Sequence, residues 1–95
     1  MIRSFEDSEL ENCWREGKCS KVPSELQRRV LRKLDMMDAA TCIEDLRYPP
    51  GNDLHPLKGK YEGYWAIRVN GPWRLIFTFE KSGCFIDDIE LIQYH

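Results

Sequence analysis

The segment Leu54-His55-Pro56-Leu57-Lys58-Gly59 sets a histidine and a lysine three residues apart. Arg74 follows in a stretch that alternates polar and apolar residues, and the sequence closes on Gln93-Tyr94-His95. His55 and His95 are the only two histidines of the chain. Imidazole titrates nearest neutrality, so histidine suits a general base or acid. Lysine and arginine beside it suit a phosphate or a developing oxyanion. Together these groups fit RNA cleavage in which the 2′-hydroxyl attacks the adjacent phosphate. A base takes the hydroxyl proton, an acid protonates the leaving 5′-oxygen, and cations hold the charge that builds on phosphorus. Lys58 and Arg74, with Lys60 and Arg68 in the same stretch, are the candidate phosphate contacts. No carboxylate pair stands near a histidine at ligand spacing, so neither a metal nor another cofactor is expected. Taken singly, each residue reads as an ordinary solvated charge or structural histidine.

These residues need a scaffold, and the chain carries the patterns for one. Glu6-Asp7-Ser8 supplies capping and acidic residues ahead of the apolar pair Leu10 and Trp14, with Gly17 as a stop. Pro23-Ser24-Glu25 opens a second helix, with Leu26, Val30, Leu34 and Met37 on one apolar face, widened by Leu31 and Met36. Arg28, Arg29, Arg32 and Lys33 decorate the rest of it, either as a solvated face or as a contact to RNA. Ile43 to Leu46 predicts a further turn, and Arg47 to Asp53 a loop broken by two prolines and a glycine.

The second half alternates with period two. Trp65, Ile67 and Val69 share one strand face, opposite Tyr64, Ala66 and Arg68. Asn70-Gly71 signals a hairpin. Trp73, Leu75, Phe77 and Phe79 share a face of the next strand, with Arg74, Ile76 and Thr78 opposite. A turn at Lys81-Ser82-Gly83 leads to a last strand with Phe85, Ile89 and Leu91 facing one way. Asp87 breaks that parity, which predicts a bulge. Ile2 to Phe5 is a candidate edge strand. The expected fold is α+β: two N-terminal helices on one face of a small antiparallel sheet, one domain over residues 1–95.

Composition bounds the rest. Hydrophobic residues are 42% and charged residues 32% of the 95, a balance that excludes disorder. No apolar run is long enough for a membrane span, and the start Met1-Ile2-Arg3-Ser4-Phe5-Glu6 has no apolar signal region. The expected location is the cytoplasm. Net charge is −2, unlike a typical nucleic-acid binder, but charge is segregated. Residues 21–34 carry Lys21, Arg28, Arg29, Arg32 and Lys33 against Glu25 alone, so a local basic surface is expected. Cys13, Cys19, Cys42 and Cys84 lack CxxC spacing, which disfavours zinc. In a cytosolic chain they are expected as small buried hydrophobes rather than disulfides.

At Met1 to Phe5, Leu54 to Gly59, Gly63 to Asn70, Trp73 to Phe77 and Tyr94-His95 the sequence resembles the HigB toxins of the RelE/ParE toxin superfamily. The motifs stand in order and span nearly the whole chain. The resemblance implies a RelE-like fold and the toxin of a type II toxin–antitoxin system, an mRNA interferase that cleaves mRNA in the ribosomal A site. It implies a HigA-like helix-turn-helix antitoxin and the 70S ribosome as partners, with operator DNA reached only through the antitoxin. Carried over by position, it makes His55, Lys58, Arg74, Tyr94 and His95 the catalytic set. Lys60, Arg68 and Gln93 are further candidates for substrate contact. Gln93 departs from the family's aspartate; an amide hydrogen-bonds but is neither base nor compensating charge. The rival reading is a non-catalytic, ParE-like toxin that binds DNA gyrase, or a degenerate antitoxin-binding module.

Overall fold

The computed structural model describes residues 1–82 and 84–94. Helix α1 spans Ser8–Glu16. The Asp7 carboxylate accepts from the backbone N–H groups of Glu9 and Leu10 at 3.0 and 3.3 Å, satisfying two of the donors a helix start leaves open. Gly17, at φ +74, ends the helix in the left-handed conformation that glycine reaches without a Cβ penalty. The reversal brings the chain back on itself, and Cys13 and Cys19 stand 4.2 Å apart between Cα atoms, joined in a disulfide. The expectation that no cysteine is bridged is thereby corrected. Spacing along the sequence did not show that the glycine cap returns residue 19 to the last turn of the helix.

Helix α2 spans Gln27–Ala39. It starts later than Pro23, because Leu26 and Gln27 donate to the carbonyls of Pro23 and Ser24, a tight turn that precedes the regular helix. Val30, Leu34 and Met37 are buried along its predicted stripe. Trp14 Nε1 donates to Asp35 at 3.0 Å and ties the two helices together.

Four antiparallel strands follow in the order β1-β2-β3-β4: His55–Pro56, Trp65–Asn70, Trp73–Glu80 and Phe85–Gln93. The shortest, β1, is a strand the sequence pattern did not signal, since two residues are too few for an alternation. The hairpin pairs Asn70 with Trp73, so its two-residue loop is Gly71-Pro72 rather than Asn70-Gly71. Gly71, at φ +52, takes the first loop position, and Pro72 falls where no ladder N–H is needed.

The expected bulge lies in β4. Between the pairs Ile76↔Glu90 and Thr78↔Asp87, β4 carries one residue more than β3, and Asp88 sits at φ +58. Aspartate is among the few non-glycine residues that tolerate this conformation. The bulge shifts the parity, so Ile86 enters the core with Ile89 and the expected Phe85 does not. Phe85 lies instead under the Arg3 guanidinium, 4.2 Å from its ring centre.

Residues 2–5 form two isolated parallel bridges along β4, Ile2↔Ile86 and Phe5↔Ile89. Arg3 fastens this segment, donating to Asp87 at 2.6 Å and to Glu80 at 3.2 Å. The core between helices and sheet holds Leu10, Val30, Leu34, Met37, Ile67, Leu75, Phe77, Ile86 and Ile89. Phe77 is fully buried, whereas Trp65, Trp73 and Phe79 pack against the core while partly exposed.

Phe77→Ala is expected to cost about 3–5 kcal/mol of stability, a large part of the ~5–15 kcal/mol a domain has. Trp73→Ala should cost clearly less, because its ring sits at the margin. Urea denaturation of both variants measures the difference.

Asp87 is held below its ordinary carboxylate range, chiefly by the hydrogen bond from Arg3 and then by that from Ser4. A depressed folded pKa stabilises the fold above the unfolded value of about 3.9 and is lost as pH falls through the lower folded value. Asp87→Asn should therefore lower the Tm at pH 7, and the gap to wild type should close on acidification below pH 4. A gap that stays constant with pH would show that the carboxylate charge is not what holds residues 2–5 to β4.

Candidate active site on the open sheet face

The ladder registers decide which side chains share the face turned away from the helices. His55 pairs with Ala66, Ala66 with Ile76 and Ile76 with Glu90, which makes one row across all four strands. The neighbouring row is Arg68, Arg74 and Ile92. Ala66 and Ile76 are fully buried in the floor of this face yet lie outside the helix-side core. Strand alternation thus puts His55, Arg68 and Arg74 on one surface. By strand spacing, the Cα atoms of His55 and Arg74 are about 12 Å apart, a span their side chains narrow from both ends.

His55 is oriented by the loop before it. Its Nδ1 lies 2.7 Å from the carbonyl oxygen of Asp53. A carbonyl only accepts, so Nδ1 carries a proton, and in neutral imidazole Nε2 keeps the lone pair. That tautomer is the one that can take a proton at Nε2.

The Asp53 carbonyl is in turn fixed by the turn at Pro50–Asn52 and by an αL conformation at Asp53, φ +49. That turn ends on Asn52, the one fully buried polar residue among the described residues. Its amide nitrogen donates to the carbonyls of Leu46 and Tyr48 at 3.0 and 3.2 Å, and its oxygen accepts from Lys33 of α2. Sequence reasoning missed Asn52. The only signal was an asparagine in a turn, where it is common enough to pass unnoticed.

Arg74 is half-buried and held by its own hairpin. Nη1 donates to the carbonyls of Gly71 and Trp73 at 2.6 and 3.1 Å. The guanidinium carbon lies 5.2 Å from the centre of the Tyr94 ring. Tyr94 is anchored by its backbone N–H, which donates to Pro72 at 2.8 Å. The Arg74 Nε is buried and has no partner among the described residues. Arg74 and Tyr94 are therefore brought together as one unit.

The other candidates divide. Lys58 is exposed just beyond β1, as is Lys60, whose ammonium lies 5.4 Å from the centre of the Tyr61 ring. Arg68 is exposed and is the Cα partner of Arg74. Gln93 pairs with Trp73, out of phase with the Arg74↔Ile92 pair, so alternation puts it on the opposite side from Arg74. His95 lies outside the described residues.

The far end of the same face is acidic. Burial first, then Glu6 and Asp7, push the Glu90 carboxyl above its ordinary range, against a smaller opposing pull from Lys60. Burial, with Asp88, Glu6 and Glu90 nearby, raises the Tyr64 phenol. An anionic strand on this face is thus attracted to the Arg68–Arg74 end and repelled from the Glu90 end.

The profile of the HigB-like toxin family, described as the RelE-like toxin of type II toxin-antitoxin system HigB, matches residues 3–95. The chain belongs to this family. It is 41% identical over 95 residues to Toxin HigB-1 of Vibrio cholerae serotype O1, covering 99% of this chain and 94% of that protein. It is 38% identical over 95 residues to the Endoribonuclease HigB of Proteus vulgaris, covering both in full. The fold is shared with YafQ from E. coli, with a TM-score of 0.61 at 14% identity over 98% of this chain and 91% of that one. It is also shared with the YoeB–YefM complex from Staphylococcus aureus, with a TM-score of 0.57 at 18% identity over 100% and 95% of the two chains. The expected RelE-like α+β fold is borne out, and the HigB-like chain is the toxin of a type II toxin–antitoxin system, with an antitoxin as its partner.

Asn52→Ala leaves the Leu46 and Tyr48 carbonyls without their donor, at a cost of about 1–3 kcal/mol. Asn52→Asp should destabilise similarly, although it keeps an acceptor for Lys33, because a carboxylate cannot donate to two carbonyls. Nitrogen NMR of His55 should show the Nδ1-protonated form in the wild type and a mixture of tautomers in both variants. A single unchanged tautomer would mean that the turn does not set the imidazole.

Proposed function

We propose that this chain, an endoribonuclease toxin of the HigB type, cleaves mRNA on the 70S ribosome by acid–base chemistry on the open sheet face. The observation that carries the reading is the orientation of His55: its Nδ1 is committed to Asp53, which leaves Nε2 for the reaction. His55 takes the proton of the 2′-hydroxyl. The 2′-oxygen then bonds to phosphorus, the bond from phosphorus to the 5′-oxygen breaks, and an acid protonates that leaving oxygen. The products are a 2′,3′-cyclic phosphate and a 5′-hydroxyl. His95 is the proposed acid.

Arg74 and Lys58 stabilise the charge that builds on the phosphoryl oxygens. Arg74 is held by two carbonyls and stacked on Tyr94, so it needs little reorganisation when that charge appears. Tyr94 offers its ring to the nucleotide and its hydroxyl to the phosphate. Arg68 extends the cationic surface beside Arg74, and Lys60 adds a cation near Glu90. Gln93, by its register, contacts substrate only from the rim.

The chain has few cations on this face, so the ribosome supplies much of the positioning, and the reaction takes place in the cytoplasm. Among the described residues, no helix is long and apolar enough to cross a membrane. The antitoxin is a HigA-like helix-turn-helix protein that carries any contact with operator DNA.

Arg74→Ala and Lys58→Ala should each slow cleavage by a factor of about 10²–10³, the usual loss for one oxyanion-type donor. Both should keep the wild-type circular dichroism spectrum. His55→Ala should abolish cleavage. The readout is primer extension on mRNA in a reconstituted translation reaction, with naked mRNA as the comparison. Full toxicity in the Arg74 and Lys58 variants would mean the phosphate is held elsewhere. Equal cleavage of naked mRNA would remove the role of the ribosome.

A further inference from the structure

Away from the row that joins His55 to Glu90, a cavity of about 230 Å³ opens between α2, the turn at Pro50–Asn52 and the end of β2. Its walls are Arg29, Arg32, Lys33, Gly51, Arg68, Val69 and Asn70. Four of these seven residues are cations. Arg29, Arg32 and Lys33 lie at i, i+3 and i+4 along α2, the spacing that stacks side chains on one face. Arg68 meets them from the sheet. The ion pairs among the described residues are Arg3 with Glu80, Arg3 with Asp87, and Arg15 with Glu11; none neutralises this group.

Gathering like charges without counter-ions costs free energy, and the cost is visible at Lys33. Its ammonium is pushed below the ordinary lysine range, first by burial and then by Arg32 and Arg29. Lys33 is held there by Asn52. Four cations kept together around a cavity, in a chain of net charge −2, are a site for a multiply accepting anion. The cavity is smaller than the ~300 Å³ at which pockets for drug-sized ligands begin, which suits a phosphate group rather than a whole nucleotide.

Arg68 also pairs with Arg74 across the β2–β3 ladder, their Cα atoms about 5 Å apart. Arg68 therefore belongs both to the cavity and to the cationic pair on the cleavage face, and cations run from one to the other through it. We propose that the cavity formed by Arg29, Arg32, Lys33 and Arg68 binds a backbone phosphate of RNA other than the scissile one. This rests on the ribonuclease reading above. The phosphate comes either from the message beyond the cut or from ribosomal RNA around it; the chemistry is the same. An acidic segment of a protein partner is disfavoured, because the line of cations runs on to the phosphate site of the reaction.

The test compares wild type with the double variant R29A/R32A. Both side chains are exposed and their removal relieves like-charge repulsion, so the melting temperature should not fall. Affinity is measured by fluorescence anisotropy at several salt concentrations, for 70S ribosomes without mRNA and for a 20-nucleotide RNA. The double variant should bind at least tenfold more weakly at 150 mM salt. Its log–log salt slope should be shallower by ~0.7–0.9, the share of one lost phosphate contact. A loss confined to empty ribosomes assigns the phosphate to ribosomal RNA, and a loss with both RNAs assigns it to the message strand.

Unchanged affinity and slope with both RNAs would overturn the inference. So would a loss of affinity for the purified cognate antitoxin alone, which would make the cavity a protein-binding site. His55→Ala, assayed in parallel, separates the two readings. If it still cleaves, the proposed reaction fails whatever the double variant does. If it is inactive while the double variant binds RNA normally, only the phosphate cavity falls.

Discussion

The buried amide of Asn52 is the contact on which the working parts converge. It is surrounded by core on one side and by the carbonyls of Leu46 and Tyr48 on the other. A buried amide is tolerable only when its donors and acceptor are satisfied, and here Lys33 of α2 completes the set. The consequence reaches in two directions. Through Asp53 the turn aims the imidazole of His55 at the open sheet face. Through Lys33 it draws α2 toward the loop and gathers its cations beside Arg68. One satisfied side chain thus couples His55, the proposed proton-transfer residue, to the basic cavity.

The sheet separates the work of folding from the work of binding. Its helix side is filled by Leu75, Phe77, Ile67, Ile86 and Ile89, and its open side has a floor of Ala66 and Ile76. Small and aliphatic residues make the floor, while charge is placed at the edges. The β4 bulge makes this compatible with a closed core. By adding one residue at Asp88 it lets Ile86 and Ile89 both face the helices. It also leaves Asp87 at Arg3 and Ser4, where the N-terminal segment is fastened over the β4 edge. An edge so covered is protected from pairing with another chain.

Much of this was legible in the sequence, and the reason is periodicity. The stripe of α2 and the alternation of β2 and β3 are repeated patterns, and Asp87 announced the bulge by breaking one. The HigB-like motifs named the family. What escaped was single-residue geometry. Two residues make a strand at His55-Pro56 because the partner strand offers an edge, not because of their own pattern. The disulfide depends on how sharply Gly17 turns the chain. Gln93 enters the candidate site through the resemblance, as the position of the family's aspartate; only the ladder register shows that it pairs with Trp73, on the face opposite Arg74. Asn52 carried no spacing that marks it as buried, since its burial comes from α2, distant in sequence.

Net charge is a poor guide to where this chain carries positive surface, for a related reason. The chain is weakly acidic overall, but its carboxylates and cations occupy different surfaces. Glu6, Asp7, Asp88 and Glu90 gather at one end of the open face, and Glu90 stays there although burial and its neighbours oppose its charge. The cations gather at Arg68, Arg74 and α2. A field with this sense guides an anion better than uniform positive charge of the same total, because one end attracts while the other rejects. Salt should screen it beyond roughly a Debye length, about 8–10 Å near physiological ionic strength.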